Sequence, residues 1–174
     1  MRNVIAQDLS QAVDNAINTS LKNVPDFADA SCSVTWCGGE TAGTQWRIDK
    51  IGEAKILQSK INMPTLPANA SLSRYEADVM TGFAIHEMGH NICTDIDVWK
   101  EVCAAGRTHA QIMNSFEDPR MELDLLQRGH FAGAKHCLEL LTENCVRKSA
   151  ENGWHPAIAP VSYTHLRAHE TLNH

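Results

Sequence analysis

The sequence His-Glu-Met-Gly-His at residues 86–90 constrains this chain more than any other feature. Side chains four residues apart lie one above the other on a helix, so His86 and His90 can bind one metal ion. In an H-E-x-x-H segment that ion is zinc, and the glutamate, here Glu87, is the general base. The alternative is a pair of histidines that only pack on a helix. The motif therefore predicts a helix that carries a zinc site.

The residues before the motif support this helix. Ser73 and Glu76 form the S-x-x-E pattern of a capping box, which marks a helix start. Helical spacing then continues along one face, which comprises Tyr75, Val79, Phe83, His86, His90 and Cys93. We therefore expect a largely buried helix over about residues 73–93.

The N-terminal part of the chain favours one helix and then strands. Residues 3–22 are amphipathic at helical spacing, and Pro25 ends that helix. Runs of strand-forming residues follow at 31–36, 44–48 and 54–63, and the second run returns after a glycine-rich turn. In the third run Leu57, Ser59, Ile61 and Met63 share one face.

The part after the motif favours helices. A short helix is expected up to residue 105, and a long one from Thr108 to Leu126, with a second capping box between Thr108 and Gln111. A last helix is expected at residues 132–148. This order predicts an α+β fold, in which a small antiparallel or mixed sheet packs on a helical bundle that carries the metal helix. An edge strand of such a sheet can bind an extended peptide by strand addition.

The composition is that of one globular domain and excludes some classes of partner. The chain is 43% hydrophobic and 21% charged, with a net charge of −6. It has no basic stripe for nucleic acid and no apolar run long enough to cross a membrane. The N-terminus lacks the apolar stretch of a signal peptide, so a cytoplasmic location is expected. The cysteines include no C-x-x-C pair and are expected to be reduced.

The end of the chain has a different character. Residues 161–171 resemble one reading frame of a transposon adapter used to build sequencing libraries. Such a segment is left out of fold reasoning. We therefore expect one domain over residues 1–159, a non-native tail over residues 160–174, and a natural protein that is longer than this chain. The histidines of the tail are then not metal ligands.

A catalytic zinc site needs a third protein ligand. The acidic pair Glu117 and Asp118 is the best candidate, because it lies on a later helix that can fold back beside the histidines. Pro119 leaves the choice within the pair open. If Pro119 begins a helix, Asp118 is its N-cap and Glu117 is the ligand. If the helix only bends, Asp118 can bind zinc while Glu122 orients a histidine.

Other polar residues near the motif have simpler interpretations. His109, His130 and His136 lie near helix ends or turns and are expected to be exposed rather than to bind metal. Arg120 is expected to pair with an acid.

Together, the two motifs resemble a known family. His86-Glu-x-x-His90 is followed by Thr94-Asp95 and then by Asn114-x-x-Glu117-Asp118-x-Arg120-x-Glu122. This order resembles the zincin-like metallopeptidase domain found N-terminal to von Willebrand A domains, in cobaltochelatase-like and phage-encoded proteins. The resemblance covers about residues 73–150. It implies a zincin-like domain whose third zinc ligand is an acid of the second motif, and a von Willebrand A domain downstream.

Three functions of different classes are compatible with these motifs. The first is a zinc-dependent peptidase that hydrolyses a peptide or protein, with Glu87 as general base. The second is a non-catalytic metal-binding adaptor beside a von Willebrand A domain, working with an ATPase partner. Glu87 favours the first, because a purely structural metal site does not need a base beside its ligand. A third is a phage accessory protein without a metal.

Overall fold

The computed structural model describes residues 4–23, 27–37, 39, 41–129 and 131–151. Within these residues the fold is α+β, as predicted, with two small sheets and five α-helices. His130 and the expected tail at residues 160–174 lie outside the described residues. In chain order the elements are β1 (Val4–Ile5), α1 (Ala6–Ser20), a short 3-10 helix (Leu21–Asn23), β2 (Asp29–Thr35), β3 (Gly43–Ile51), β4 (Ala54–Asn62), β5 (Ser71–Leu72), α2 (Arg74–Cys93), α3 (Ile96–Ala104), α4 (Arg107–Arg128) and α5 (Ala134–Glu151).

The larger sheet is mixed, with β4 in the centre. β4 pairs in parallel with β2 and antiparallel with β3. The returning strand predicted after the glycine-rich turn is present, but it pairs with β4 and not with β2. The reason lies in β4, whose predicted face is fully buried: Leu57, Ile61 and the following Met63 are each 0% exposed. A strand with such a face is most stable in the middle of the sheet.

A second sheet was not expected from the sequence. It consists of β1 and β5, which pair antiparallel over two residues each. Ile5 precedes α1 and Leu72 precedes α2, so this short ladder joins the N-terminal ends of the two helices.

Helix α2 lies at the centre of the molecule. It contacts α1, β3, α4 and α5. Two glycines allow the closest of these approaches. A Cβ at Gly82 would meet the backbone carbonyl of Cys137 on α5, and a Cβ at Gly89 would meet the sulfur of Met121 on α4. Because α2 is packed on several sides, its buried residues are not confined to one face.

The structure corrects two expectations about α4. The helix begins at Arg107 with Gly106 as N-cap and has no side-chain cap, so the capping box predicted between Thr108 and Gln111 is wrong. The helix also continues through Pro119, so Asp118 is not the N-cap of a new helix. Pro119 is buried, and the packing of the surrounding turn offsets the backbone hydrogen bond that a proline cannot donate.

Smaller differences concern surface positions and helix ends. The last helix spans Ala134–Glu151 instead of residues 132–148. Tyr75, at the start of the predicted buried face of α2, is 41% exposed. None of the six cysteines forms a disulfide. Among the described residues, no helix combines the length and the apolar character that crossing a bilayer requires.

Candidate metal centre

Helix α2 presents the two histidines of the motif on one face. The predicted capping box is present at its start: the Ser73 hydroxyl accepts a hydrogen bond from the Glu76 backbone N–H at 3.2 Å, and the Ser73 N–H donates to the Glu76 carboxylate at 2.7 Å. The helix then continues without interruption to Cys93. The ring centroids of His86 and His90 are 4.9 Å apart. The capped helix therefore fixes the spacing of the two imidazoles.

Helix α4 brings a carboxylate to these imidazoles. Oδ1 of Asp118 lies 3.4 Å from Nε2 of His90 and 3.9 Å from Nε2 of His86. The three side chains offer ligand atoms that all lie within 4.8 Å of one another. A tetrahedral site with bonds of about 2.0–2.2 Å separates its donor atoms by roughly 3.3 Å. His86, His90 and Asp118 are thus arranged as a group that can hold a metal ion.

The oxygen of Asp118 that faces the histidines has no other role in the fold. Oδ1 is buried and has no hydrogen-bond partner among the described residues, whereas Oδ2 accepts a hydrogen bond from Asn114 at 2.8 Å. A buried carboxylate oxygen without a partner is costly. A cation between Oδ1 and the two imidazole nitrogens would remove that cost. This orphaned oxygen is an observation, independent of the motif, that fits a metal ion.

The other ring nitrogens are held by neighbouring side chains. Nδ1 of His86 lies 2.8 Å from a carboxylate oxygen of Glu122, and Nδ1 of His90 lies 3.0 Å from the hydroxyl of Thr94. When Nδ1 donates in these bonds, Nε2 keeps its lone pair and points toward Asp118. Outer partners of this kind orient metal-binding histidines in known sites. The sequence predicted that Glu122 orients a histidine, whereas the contact of Thr94 with His90 was found only in the structure.

Glu117, the other candidate third ligand, faces a different partner. Arg120 donates two hydrogen bonds to its carboxylate, at 2.7 and 2.6 Å, and a further one to the backbone carbonyl of Cys93 at 2.6 Å. Glu117 is buried and is not a member of the metal-binding group. The expectation that Arg120 pairs with an acid agrees with this contact. The Glu117–Arg120 pair fastens α4 to the C-terminal end of α2.

Glu87 lines the same cleft as the two histidines and accepts a hydrogen bond from the larger sheet. The Thr44 hydroxyl on β3 donates a hydrogen bond to Oε2 of Glu87 at 2.6 Å. Glu87 is 6% exposed and lines the same cleft as the histidines. Nothing in the sequence near Thr44 identifies it, because it lies in an ordinary strand far from the motif. Only the packing of β3 against α2 brings the two residues together.

The remaining described histidines lie elsewhere. His109 and His136 are exposed, and Nε2 of His136 is 3.7 Å from Oδ2 of Asp78 on α2. Neither belongs to the metal-binding group. His130 lies outside the described residues, so its predicted exposure stays a prediction.

The carboxylates change the protonation of His86. Burial acts against the charged ring, but the hydrogen bond with Glu122 and the charges of three nearby carboxylates together raise the pKa of His86 to about 9. In the metal-free protein this ring is therefore protonated at neutral pH. A metal ion that binds Nε2 has to displace a proton from the ring, so its affinity rises with pH.

The centre opens into a cleft of about 320 Å³ between β3 and the helices. Its polar lining includes His86, Glu87, His90, Asp118 and Glu122. Apolar and aromatic side chains also line it, namely Ala42, Trp46, Phe83, Trp99, Leu141 and Cys145. The group of His86, His90 and Asp118 thus lines an open cleft that also carries apolar side chains.

Comparisons with known proteins add no family to this picture. No protein-family model matches the chain, no curated protein matches its sequence, and no solved structure matches its fold. The likeness to metallopeptidase domains that precede von Willebrand A domains therefore rests on the two motifs alone.

Proposed function

We propose that this chain is a zinc-dependent peptidase domain with a zincin-like active site. The observation that carries the proposal is the position of Glu87, a buried carboxylate that lines the same cleft as the His86, His90 and Asp118 group. Three protein ligands with an adjacent general base are the arrangement that hydrolytic zinc sites use. The accessible cleft gives a substrate room to reach these groups.

Zinc is the ion that fits these donors best. Two imidazole nitrogens and one carboxylate oxygen are ligands of catalytic zinc, and three protein ligands leave a fourth position open. Similar donors also bind other divalent transition metals, so the identity of the ion belongs to the test. When bound, zinc lowers the pKa of a water molecule toward neutrality and polarises the carbonyl of the scissile bond.

The side chains of this site transfer the proton and orient the two imidazole rings. Glu87 accepts a proton from the attacking water and passes it to the leaving amine. The hydrogen bond from Thr44 fixes one carboxylate oxygen of Glu87 and leaves the other for this proton. Glu122 and Thr94 hold the two rings with Nε2 toward Asp118. Each of these groups is positioned before a substrate arrives, which favours catalysis.

The proposal is tested with zinc content and peptide hydrolysis measured on the same preparations. The wild-type protein, purified without added metal, should contain one equivalent of zinc by elemental analysis and should cleave a mixture of quenched fluorescent peptides. Glu87→Gln should keep the zinc and lose the hydrolysis, because it removes the base and not a ligand. The matched control is Glu53→Gln, an exposed glutamate outside this cleft, which should keep both.

The outcomes separate the competing functions. Zinc without hydrolysis in the wild type would favour the adaptor, a metal-binding module that works beside a von Willebrand A domain and an ATPase. Loss of zinc in Glu87→Gln would make Glu87 a ligand and refute its role as base. Zinc far below one equivalent in the wild type, unchanged by His86→Ala with His90→Ala, would leave no metal centre at all.

A further inference from the structure

Two tryptophans of the cleft, Trp46 and Trp99, lie directly beside His90. The ring centroid of Trp46 is 6.2 Å from that of His90 and 6.3 Å from that of Trp99, and the His90 and Trp99 centroids are 6.4 Å apart. Three rings thus form a nearly equilateral triangle in which one corner is a metal-binding imidazole. Both tryptophans line the cleft.

Trp46 and Trp99 together form an aromatic wall of the cleft, and hydrogen bonds hold Trp46 in place. The indole N–H of Trp46 donates to the side-chain oxygen of Asn91 at 3.0 Å, and Asn91 in turn donates to the backbone carbonyl of Glu87 at 3.1 Å. Asn91 is 2% exposed. Trp46 is therefore fixed to the same turn of α2 that carries the general base and His90. Trp99 reaches the wall from α3, whose first turn is capped by Asp95.

The wall is partly exposed and uncharged. Trp46 and Trp99 are each half-buried. The carboxylates that line the cleft are Glu87, Asp118 and Glu122, which lie at the imidazoles. An exposed aromatic surface next to a reactive centre gains most from covering by another ring or by a large apolar group.

We infer that Trp46 and Trp99 form a specificity pocket that selects peptides with an aromatic side chain next to the scissile bond. The inference rests on the proposed function and names the substrate class of that site. Consecutive residues of an extended peptide are about 3.3 Å apart, so a side chain adjacent to a carbonyl at the metal centre can reach rings centred about 6 Å from His90. Edge-to-face contacts at centroid distances of about 4.5–7 Å would then join the substrate ring to the wall.

The test measures binding, so that it does not depend on catalysis. Three amino-acid hydroxamates, which bind zinc through the hydroxamate group, carry the side chain of phenylalanine, alanine or lysine. Their dissociation constants for the zinc-loaded protein are measured by calorimetry. The phenylalanine compound should bind roughly 10- to 100-fold more tightly than the alanine compound. The lysine compound should bind less tightly than the phenylalanine compound, because its charged head stays in water and only its narrow alkyl stem covers the rings.

Variants of the wall connect this preference to the tryptophans. The preference is the ratio of the dissociation constants of the alanine and phenylalanine compounds. Trp99→Ala should reduce this ratio to about a tenth, while Trp99→Phe should retain most of it. Val98→Ala is the matched control, because Val98 is the exposed neighbour on α3, 43% exposed and outside the cleft lining. Zinc content and thermal unfolding of each variant show whether the site and the fold are intact. Trp46→Ala is the second disrupting variant, in case Trp99→Ala unfolds.

Each outcome decides the inference. Equal binding of the phenylalanine and alanine compounds, tightest binding of the lysine compound, or a preference that survives both Trp99→Ala and Trp46→Ala would overturn it. A zinc-loaded protein that binds none of the hydroxamates would overturn it as well. A protein that shows the aromatic preference and cleaves no peptide would support the pocket and refute only the peptidase. A protein that holds no zinc would refute both.

Discussion

Replacing Gly89 by alanine should disturb the packing of α4 on α2 and, through it, the metal centre. Gly89 lies between Glu87 and His90, and an added Cβ would run into the sulfur of Met121. The same Cβ would lie 3.1 Å from Cε and 3.2 Å from Cγ of Met121, which is 0% exposed. Because Asp118 is one helical turn before Met121, a shift of α4 at Met121 also moves the carboxylate that faces the histidines.

The effect of Gly89→Ala on the free energy of unfolding is the difference between two opposing contributions. Alanine in a helix interior is about 1 kcal/mol more favourable than glycine. Overpacking a filled core costs about 1–3 kcal/mol, and a flexible methionine places the cost in the middle of that range. The net effect of Gly89→Ala on the free energy of unfolding should therefore be a loss of about 1 kcal/mol. For a chain of this size that lowers the melting temperature by about 2–4 °C.

A double-mutant cycle measured by urea unfolding tests the cause. Met121→Ala alone should cost about 2–5 kcal/mol, because it leaves a cavity. In that background the clash is gone, and Gly89→Ala should stabilise by about 1 kcal/mol, which gives a coupling energy of about 2 kcal/mol. Gly43→Ala is the control, because nothing lies within 4 Å of a Cβ there. An equal effect of Gly89→Ala in both backgrounds would refute the reasoning.

Three further predictions concern the charged groups of the centre. Loss of an outer partner weakens zinc binding roughly 10- to 100-fold, and Asp118→Ala should weaken it by more than that. Glu117→Ala should keep zinc and lower the free energy of unfolding by about 1–2 kcal/mol, because it removes the hydrogen bonds from Arg120. The reverse result, by zinc titration and urea unfolding, would make Glu117 the ligand. Glu122→Gln should weaken zinc binding about 10- to 100-fold while the fold is retained, and unchanged affinity would exclude Glu122 as the group that orients His86. In the zinc-free protein the raised pKa of His86, about 9, stabilises the fold fully below about pH 6.5, and that contribution is lost as the pH rises through 9. Urea midpoints should therefore fall between pH 6.5 and 9, and an equal fall in His86→Gln would contradict this.

Local signals predicted the helices and the three strands of the larger sheet. The start of α2 was predicted because the capping box of Ser73 and Glu76 lies within one turn and needs no distant partner. That Leu57, Ser59 and Ile61 share one face of β4 was predicted from alternation alone, and the structure shows this face to be buried. These signals depend on the backbone geometry of a few neighbouring residues, which the sequence specifies directly.

Contacts between distant segments could not be predicted in the same way. The parallel pairing of β2 with β4 places two strands side by side although β3 separates them in sequence. The continuation of α4 through Pro119 contradicts the local preference, because burial of that turn outweighs the lost hydrogen bond. In both cases the deciding energy comes from packing that only the complete fold creates.

The same distinction applies to the candidate metal centre. The spacing of His86 and His90 is a local property of a helix and was predicted. Glu117 and Asp118 are neighbours in sequence, and their different surroundings follow from the rotation of α4 and from the position of Arg120. Thr44 and Trp99 belong to other elements and carry no signal in the motif. The sequence therefore predicted a group of two histidines and an acid that could hold a metal ion, while the outer contacts of that group had to come from the structure.

The charges of the centre explain why a metal ion and the fold should stabilise each other. Glu87, Asp118 and Glu122 bring three carboxylates to two imidazoles, and one buried oxygen each of Asp118 and Glu122 has no hydrogen-bond partner among the described residues. Without a metal, the protonated ring of His86 offsets part of this negative charge, which is the cause of its raised pKa. A divalent cation at Nε2 would replace that proton with a larger positive charge next to Asp118. Since the unfolded chain does not hold these groups together, binding energy at the centre is also folding energy.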